Sequence, residues 1–501
     1  MRTWLTIAAL LILPLVVYWP TVAHEYGFRD DYAHLREVRE RPGWLTTLTT
    51  AHGRPVYGAA LEASLKSVDR VEELAALRLT SVLLIGAVGV LLWSQFRRSG
   101  WTETQAVAMG AAVTLLPGMQ IVVGWAIAWP IALGLIGALA GFALVERGFG
   151  ARGLARAWLL TGGGVLYVLA GVTYQTSALF AIVPLVAVLL LRERTTLRND
   201  AWWVSAHIGL LFVCLVVGFV VSRALMVEGA VPEATRTALE PDIWRKFLWF
   251  LRNPVPNSIG LFALRDRFAT PLWFWLIVAG VAALMLLGFI YGAKNRQQRL
   301  RWLFAALLLP FVAHSISLAA SSQAIGYRTL LPLSGLFLVL AVFGLRSIAA
   351  RYRALRIVEA GVLAAVLVVA ALLAHRNPLV LVAEPQGHEW DLIQAAAERL
   401  QPAGGGSVYI IRPTIDDRST ERVYADEFGT LTADADWAAK EMFKAAMRER
   451  FPSGLPAGAD YELFTGFAPP SAQYSYDLVV DLRALKNLGA RVAPEATASQ
   501  R

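Results

Sequence analysis

The residues best suited to chemistry lie together near the start of the chain, in Gly27-Phe28-Arg29-Asp30-Asp31-Tyr32-Ala33-His34-Leu35. Asp30 and Asp31 are adjacent carboxylates, set among Arg29, Arg36, His24 and His34. Neighbouring carboxylates repel, so one of the pair is driven toward its protonated form unless a cation or an arginine compensates. A carboxylate held near the lipid headgroups could take a proton from an incoming hydroxyl as a general base. The pair could also hold Mg²⁺ or Mn²⁺, since both are hard, oxygen-seeking cations. The plain alternative is a solvated loop with no chemistry.

Arginines and aromatics supply further candidates. His52-Gly53-Arg54-Pro55 is a turn that presents Arg54, and an ion pair with Glu62 is its simplest structural use. Gly326-Tyr327-Arg328-Thr329 puts an arginine between two apolar runs. A guanidinium there suits a phosphate, which it binds bidentately, or it can snorkel to ordinary headgroups. In Pro241 to Arg252, Trp244, Phe247, Trp249 and Phe250 are interleaved with Arg245, Lys246 and Arg252. That pattern predicts an interfacial amphipathic helix, as lid or anchor. The histidines and the one cysteine form no cluster of the kind that holds zinc.

The elements that must position these groups are membrane helices. The chain has 501 residues, 56% hydrophobic and only 17% charged, with a mean hydropathy of +0.52. A soluble protein of this length carries nearer a quarter charged residues. The excess is gathered in runs near the ~20 residues a bilayer requires. About eleven spans are predicted: 5–23, 77–96, 104–119, 126–145, 158–174, 177–191, 202–222, 272–291, 302–320, 330–345 and 357–374. The first run reads as a retained helix rather than a cleaved signal. Between the spans, residues 24–76 and 224–270 form long loops, the former with short helices. Cys214 is the one cysteine, so no disulfide forms within the chain.

Charge sets the orientation. With the N-terminus inside, the predicted inner loops hold Arg97 and Arg98; Arg147, Arg152 and Arg156; Arg192, Arg194 and Arg198; Lys294, Arg296, Arg299 and Arg301; Arg346, Arg351, Arg353 and Arg356. Basic loops stay inside. The net charge of +9 is therefore an orientation device and not a nucleic-acid footprint. Residues 24–76, 224–270 and 379–501 share the outer face on this reading. The tail from 379 has 18 Asp and Glu against 12 Lys and Arg. It is expected to form a small α/β domain, with helices near 388–402 and 436–450, strands at 407–411 and 477–482, and a disordered end at 493–501. Residues 1–378 make the membrane domain.

Phe28-Arg29-Asp30-Asp31-Tyr32, Gly53-Arg54-Pro55, Tyr174-Gln175 and Tyr327-Arg328-Thr329-Leu330-Leu331-Pro332, in this order and topology, resemble the GT-C integral-membrane glycosyltransferases. The nearest likeness is to bacterial enzymes that decorate O-antigen or other surface glycans from a polyprenyl-phosphate-linked sugar. In the tail, Asp426-Glu427-Phe428-Gly429 and Asp436-Trp437 look similar too, without a role that can be assigned from sequence. The resemblance implies an enzyme of the bacterial plasma (inner) membrane, acting on its extracytoplasmic face. It implies Asp30 or Asp31 as catalytic base, with the first favoured. Arg328, Arg54 and Tyr327 would bind the donor phosphate, and His34, Trp244 and Arg245 would lie toward the acceptor or a lid. The partners implied are the lipid-linked sugar, an envelope glycan or glycolipid acceptor and membrane lipids. A lipid or polysaccharide transporter or flippase, a polysaccharide polymerase or ligase, and a non-catalytic envelope scaffold are the competing readings. A transporter is expected to carry ionisable groups at mid-membrane, and here the charges fall near run ends.

Overall fold

The computed structural model describes residues 2–192, 195–227, 238–323, 325–352, 355–401, 405–417 and 422–484. Arg194, Arg353 and the end at 493–501 lie outside these. Among the described residues, seven helices are long and apolar enough to cross a membrane: Val71–Arg98, Ala126–Gly150, Gly153–Thr173, Leu197–Ala224, Leu272–Gly292, Tyr327–Arg351 and Ile357–Arg399. Glu103–Thr114 and Pro117–Gly124 make an eighth if counted as one span, bent by 48° at their break. The bend follows from Pro117, which cannot continue the hydrogen-bond ladder and forces Leu116 into an extended conformation, ψ 148°. Exposed apolar side chains such as Val213, Val216, Val217, Phe219 and Val220 run along the Leu197–Ala224 helix. A face like that suits lipid and not water.

The other predicted spans are helical but shorter or interrupted. Thr3–Val17 and Gln175–Leu191 are apolar helices of fewer than 18 residues. The 302–320 run is broken into Arg296–Leu303, a wider π-helical turn at Phe304–Leu308, Leu309–Ala313 and Ser315–Ala319. Pro310 starts the third piece and His314 separates the last two. Hydropathy counts apolar residues and does not see the prolines and π-turns that cut a run into pieces.

The helix ends divide into two sets. At one end of the Tyr327–Arg351 helix, Arg346 donates to the carbonyl of Gly100 (3.2 Å) and to Gln105 (3.1 Å). Nearby, Trp101 Nε1 reaches the carbonyl of Ala187, and Arg301 is paired with Asp200 at 2.6 Å. These are the basic loops. At its other end, about 37 Å away for 25 residues at 1.5 Å each, Tyr327 meets the acidic tail through Asp426.

That tail grows directly out of the last long helix. Leu355–Pro378 passes through a π-helical turn, Leu379–Ala383, into Glu384–Arg399, so residue 379 lies inside a continuous helix. Three parallel strands follow in the order β2-β1-β3, where β1 is Gly406–Ile411, β2 Tyr461–Gly466 and β3 Leu478–Asp481. In register, Ile411 stands beside Gly466 on one side and Asp481 on the other. The helix Asp436–Arg450 buries Ala439, Met442, Phe443 and Met447 against Trp390, Ile393 and Ala397 of Glu384–Arg399. The β2 strand was missed in the sequence because it lies at an edge: Glu462 and Phe464 point outward, so it lacks the apolar run of a central parallel strand.

One close helix crossing uses glycine. A Cβ on Gly344 would sit 1.9 Å from the carbonyl oxygen of Leu284, and one on Gly288 only 3.1 Å from Cα of Gly344. Small residues let membrane helices approach this closely. Gly344→Ala is therefore expected to destabilise the detergent-solubilised protein by about 1–3 kcal/mol through overpacking, lowering its melting temperature. Gly361→Ala, at a position with nothing within 4 Å, serves as control and should melt no lower than wild type. Equal melting of Gly344→Ala and wild type would show the crossing to be looser than described.

Candidate active site

The loop of residues 24–76 is fixed by an arginine that sequence reading did not single out. Arg78 is fully buried near the start of Val71–Arg98, where it donates to the carbonyls of Tyr26 (2.7 Å) and His24 (2.9 Å). Its guanidinium also covers the Tyr26 ring at 4.1 Å. A cation placed in an apolar run demands partners, and that alone could have flagged it. From Tyr26 the chain turns through Gly27 and Phe28 to Arg29, whose φ of +46° is strained for a residue with a Cβ. The helix Asp30–Glu40 begins there.

Asp30 and Asp31 leave that turn in different directions. Asp31 is 0% exposed: Oδ2 accepts the N–H of Phe28 (2.8 Å) and Oδ1 the N–H of Ile127 (3.1 Å). Burial pushes its carboxyl up to about 7, against the pull of those two N–H groups and of the Arg78 charge. Asp31 thus ties the start of its helix to the first turn of Ala126–Gly150. The expected roles of Asp31 as base or metal ligand are corrected here: both oxygens are engaged and no solvent reaches them. Asp30 is only partly buried and shares a helix face with His34 and Glu37, at i+4 and i+7. His34 Nδ1 lies 3.0 Å from Glu37 Oε2.

Two guanidinium groups, those of Arg54 and Arg328, act together with Asp30 on one residue, Tyr57. Arg54 follows Gly53, whose φ is +75° and whose absent Cβ leaves room for Gln175. Gln175 donates to the carbonyls of His52 and Gly53, both at 2.9 Å, and accepts from Arg54 Nε at 3.0 Å. The Arg54 guanidinium lies 4.3 Å over the Tyr174 ring. The structure therefore joins two separate sequence motifs, Gly53-Arg54 and Tyr174-Gln175. Glu62 is not the partner of Arg54; it accepts from Gly43 (2.6 Å) and Thr46 and lies 3.7 Å from Lys66. Arg328 stacks 4.6 Å over Trp125, whose Nε1 is buried with no partner among the described residues. Tyr57 marks the centre. Its hydroxyl donates to the carbonyl of Ile127 at 2.6 Å, and burial raises it while the charges of Arg54, Arg328 and Asp30 all act on it.

The acidic tail closes the site. Asp426, at φ +65°, accepts the N–H of Tyr327 at 2.6 Å and that of Arg328, capping the helix that carries both. Burial raises its carboxyl and the Arg328 charge opposes that. Glu427 pairs with Arg29 at 2.8 Å, and the backbone N–H of Arg29 reaches Thr432 Oγ1 at 3.1 Å. The Asp426-Glu427 motif, left without a role by sequence, holds the tail onto both the loop of residues 24–76 and the Arg328 helix.

Other expected residues do not join the centre. Tyr327 is 2% exposed, and its hydroxyl accepts from the N–H of Arg265 (2.8 Å) and donates to Asn257 (3.2 Å). Its hydrogen-bonding capacity is filled, so its part is to position Arg328 and not to bind phosphate. Trp244 is 67% exposed and stacks on Phe247, while Arg245 pairs with Glu240 at 2.9 Å. Their helix, Ile243–Arg252, rests instead on Phe311 and His314. Among the described residues no group of three or more His, Cys, Asp or Glu converges as a metal site. With Asp31 turned away, Asp30 is the one open carboxylate of the pair.

A separate apolar cavity of about 1050 Å³ opens between Leu272–Gly292, Tyr327–Arg351 and Ile357–Arg399. Trp273, Leu338 and Val366 line its length, and Arg376, Asn377 and Arg422 are its polar lining. No protein-family model matches this chain, and no curated protein matches it. The fold and the site therefore define a helical protein with membrane-length helices and an arginine-flanked carboxylate at one end of the bundle.

The raised carboxyl of Asp31 has a consequence for stability. A carboxyl at about 7 in the folded chain and near 3.8 when unfolded binds its proton more tightly folded, so its contribution to stability is greatest at low pH and falls as pH rises from about 4 to 7. Asp31→Asn, lacking that titration, should be less stable at pH 5 because one N–H loses its acceptor. Its deficit relative to wild type should narrow toward pH 7.5. Thermal melts across that range check this; a deficit that widens with pH would reverse the assignment.

Proposed function

We propose that this chain is a glycosyltransferase that moves a sugar from a polyprenyl-phosphate donor to an envelope glycan or glycolipid on the outer face of the bacterial inner membrane. The observation that carries the reading is a partly exposed carboxylate, Asp30, whose charge acts with those of Arg54 and Arg328 on one tyrosine, Tyr57, where helices of the bundle end. An acceptor hydroxyl gives its proton to Asp30 and its oxygen attacks the anomeric carbon. The bond from that carbon to the phosphate oxygen breaks, and the phosphate leaves with its charge met by Arg328 and Arg54. One displacement inverts the anomeric centre. The apolar cavity with Arg376 and Arg422 suits an isoprenoid chain. The separation of basic loops from the acidic tail, together with the positive-inside rule, supports eleven passes with the site and an α/β tail domain outside. A divalent cation does not fit the residues: both Asp31 oxygens are bound to backbone N–H groups, and no step is assigned to a metal.

Purified protein given radiolabelled polyprenyl-phosphate-hexose and envelope glycan tests the reading. Asp30→Asn is expected to lower turnover by about 10²–10⁴-fold with donor binding retained. Arg328→Lys keeps the charge and loses the bidentate fork, so measured donor affinity should weaken by about tenfold or more. Full turnover by Asp30→Asn removes the carboxylate from the chemistry and favours transport or a scaffold. Unchanged donor affinity in Arg328→Lys discards the phosphate role.

A further inference from the structure

The parallel sheet of the tail ends in a second cavity that the transfer chemistry does not use. In open parallel sheets ligands bind outside the carboxyl ends of the strands. Here β1 leaves the sheet at Arg412-Pro413-Thr414 and β2 at Phe467, with Arg412 N bonded to the carbonyl of Gly466 at 2.7 Å. A cavity of about 580 Å³ lies at this edge, walled by Thr414 and Phe467 from the strand ends, Thr430 and Asp434 from the segment before Asp436–Arg450, Arg29 from the first outer loop and Arg267 from the second. Parts far apart in sequence are held there deliberately. Arg267 N donates to the carbonyl of Val423 (2.9 Å), Ala425 N to that of Arg265 (2.9 Å), and Arg29 is tied to Glu427 and Thr432.

The lining has a definite chemistry. The ion pair with Glu427 uses Arg29 Nη1, and Arg29 Nε stays buried with no partner among the described residues. The Arg412 guanidinium stacks 4.2 Å from the Phe467 ring centre, with its Nε in the same condition. Phe467 is 53% exposed, and the Arg267 side chain is also exposed. On the acidic side, Asp434 spends one oxygen on the N–H of Leu431 at 3.0 Å, and Arg412 donates to its carbonyl. The balance is cationic, with threonine hydroxyls and one open aromatic face. Guanidinium forks match carboxylate geometry, and an exposed ring offers apolar contact to the C–H face of a sugar. Arg29 directly precedes Asp30, which places the cavity beside the reaction centre.

We infer that this cavity is the acceptor subsite and that it takes an acidic saccharide, a glycan bearing uronate carboxylates. The inference rests on the glycosyl-transfer reading for the word acceptor, but the site can be tested without any donor. The full-length protein in detergent is titrated with tetragalacturonate, and with maltotetraose as a neutral glycan of equal length. Tetragalacturonate is expected to bind at least tenfold more tightly than maltotetraose. Arg267→Ala and Phe467→Ala, both at exposed side chains and so harmless to packing, should each weaken tetragalacturonate by about tenfold, the scale of one charge-assisted contact. Arg267→Lys should lose less. Equal affinity for the two glycans, or unchanged affinity in both alanine variants with unchanged melting temperature, overturns the inference. Asp30→Asn should bind tetragalacturonate like wild type. If binding follows this pattern while Asp30→Asn turns over fully, the saccharide site stands and the transfer chemistry falls. If donor turnover follows Asp30 but tetragalacturonate does not bind, the cavity assignment falls alone.

Discussion

Backbone N–H groups buried where helices begin and break must find acceptors, and two carboxylates meet that demand at one end of this bundle. Asp31 accepts from Phe28 and Ile127, and Asp426 from Tyr327 and Arg328. In an apolar interior an unsatisfied peptide group is expensive. Each carboxylate also links segments far apart in the chain: Asp31 joins the loop of residues 24–76 to the Ala126–Gly150 helix, and Asp426 joins the tail to Tyr327–Arg351. Remove these links and neither Asp30 nor Arg328 has a fixed position. The opposing charges are supplied locally, by Arg78 for Asp31 and by Arg328 for Asp426.

The strain at this end has the same origin. Arg29 and Asp426 both take positive φ without being glycine, a conformation of order 1–3 kcal/mol above the usual ones. Each sits one residue from a member of the Arg29–Glu427 ion pair or within it. The backbone is bent there so that neighbouring side chains diverge: Arg29 pairs with the tail, Asp30 stays partly exposed and Asp31 turns inward.

Much of the membrane architecture was legible in the sequence, because span-length apolar runs and basic loops are signals of composition. The seven long helices fall on predicted runs, and the short helices of 24–76 were expected. The breaks at Leu116 and His314 were not, since they depend on prolines and turns inside runs that stay apolar throughout. At the site, the residue types were legible and their division of labour was not. Asp30, Asp31, Arg54, Tyr327, Arg328 and Tyr174-Gln175 all stood out in the sequence, and the fold gathers all but Asp31 and Tyr327 around Tyr57. Tyr57 and Trp125 were missed because an aromatic at a membrane boundary is common and gives no signal of its own. Arg78 carried such a signal, a cation within an apolar run, which composition averages conceal.

The contrast between Asp30 and Asp31 shows what adjacency in sequence hides. Consecutive residues on a helix point about 100° apart, so a pair that looks like one chelating or catalytic unit is divided by the first turn of its helix. The inward member loses water, gains two N–H donors and is driven toward neutrality by burial; the outward member stays partly exposed. Mutual repulsion, the argument available from sequence, raises the Asp31 carboxyl less than burial does, while the two N–H groups and Arg78 pull it down. Environment, and not the pair, separates a structural carboxyl from one free to take a proton. The same reasoning ranks Arg328 above Tyr327: the tyrosine hydroxyl is spent on Arg265 and Asn257, and what it contributes is a fixed starting point for the residue that follows it.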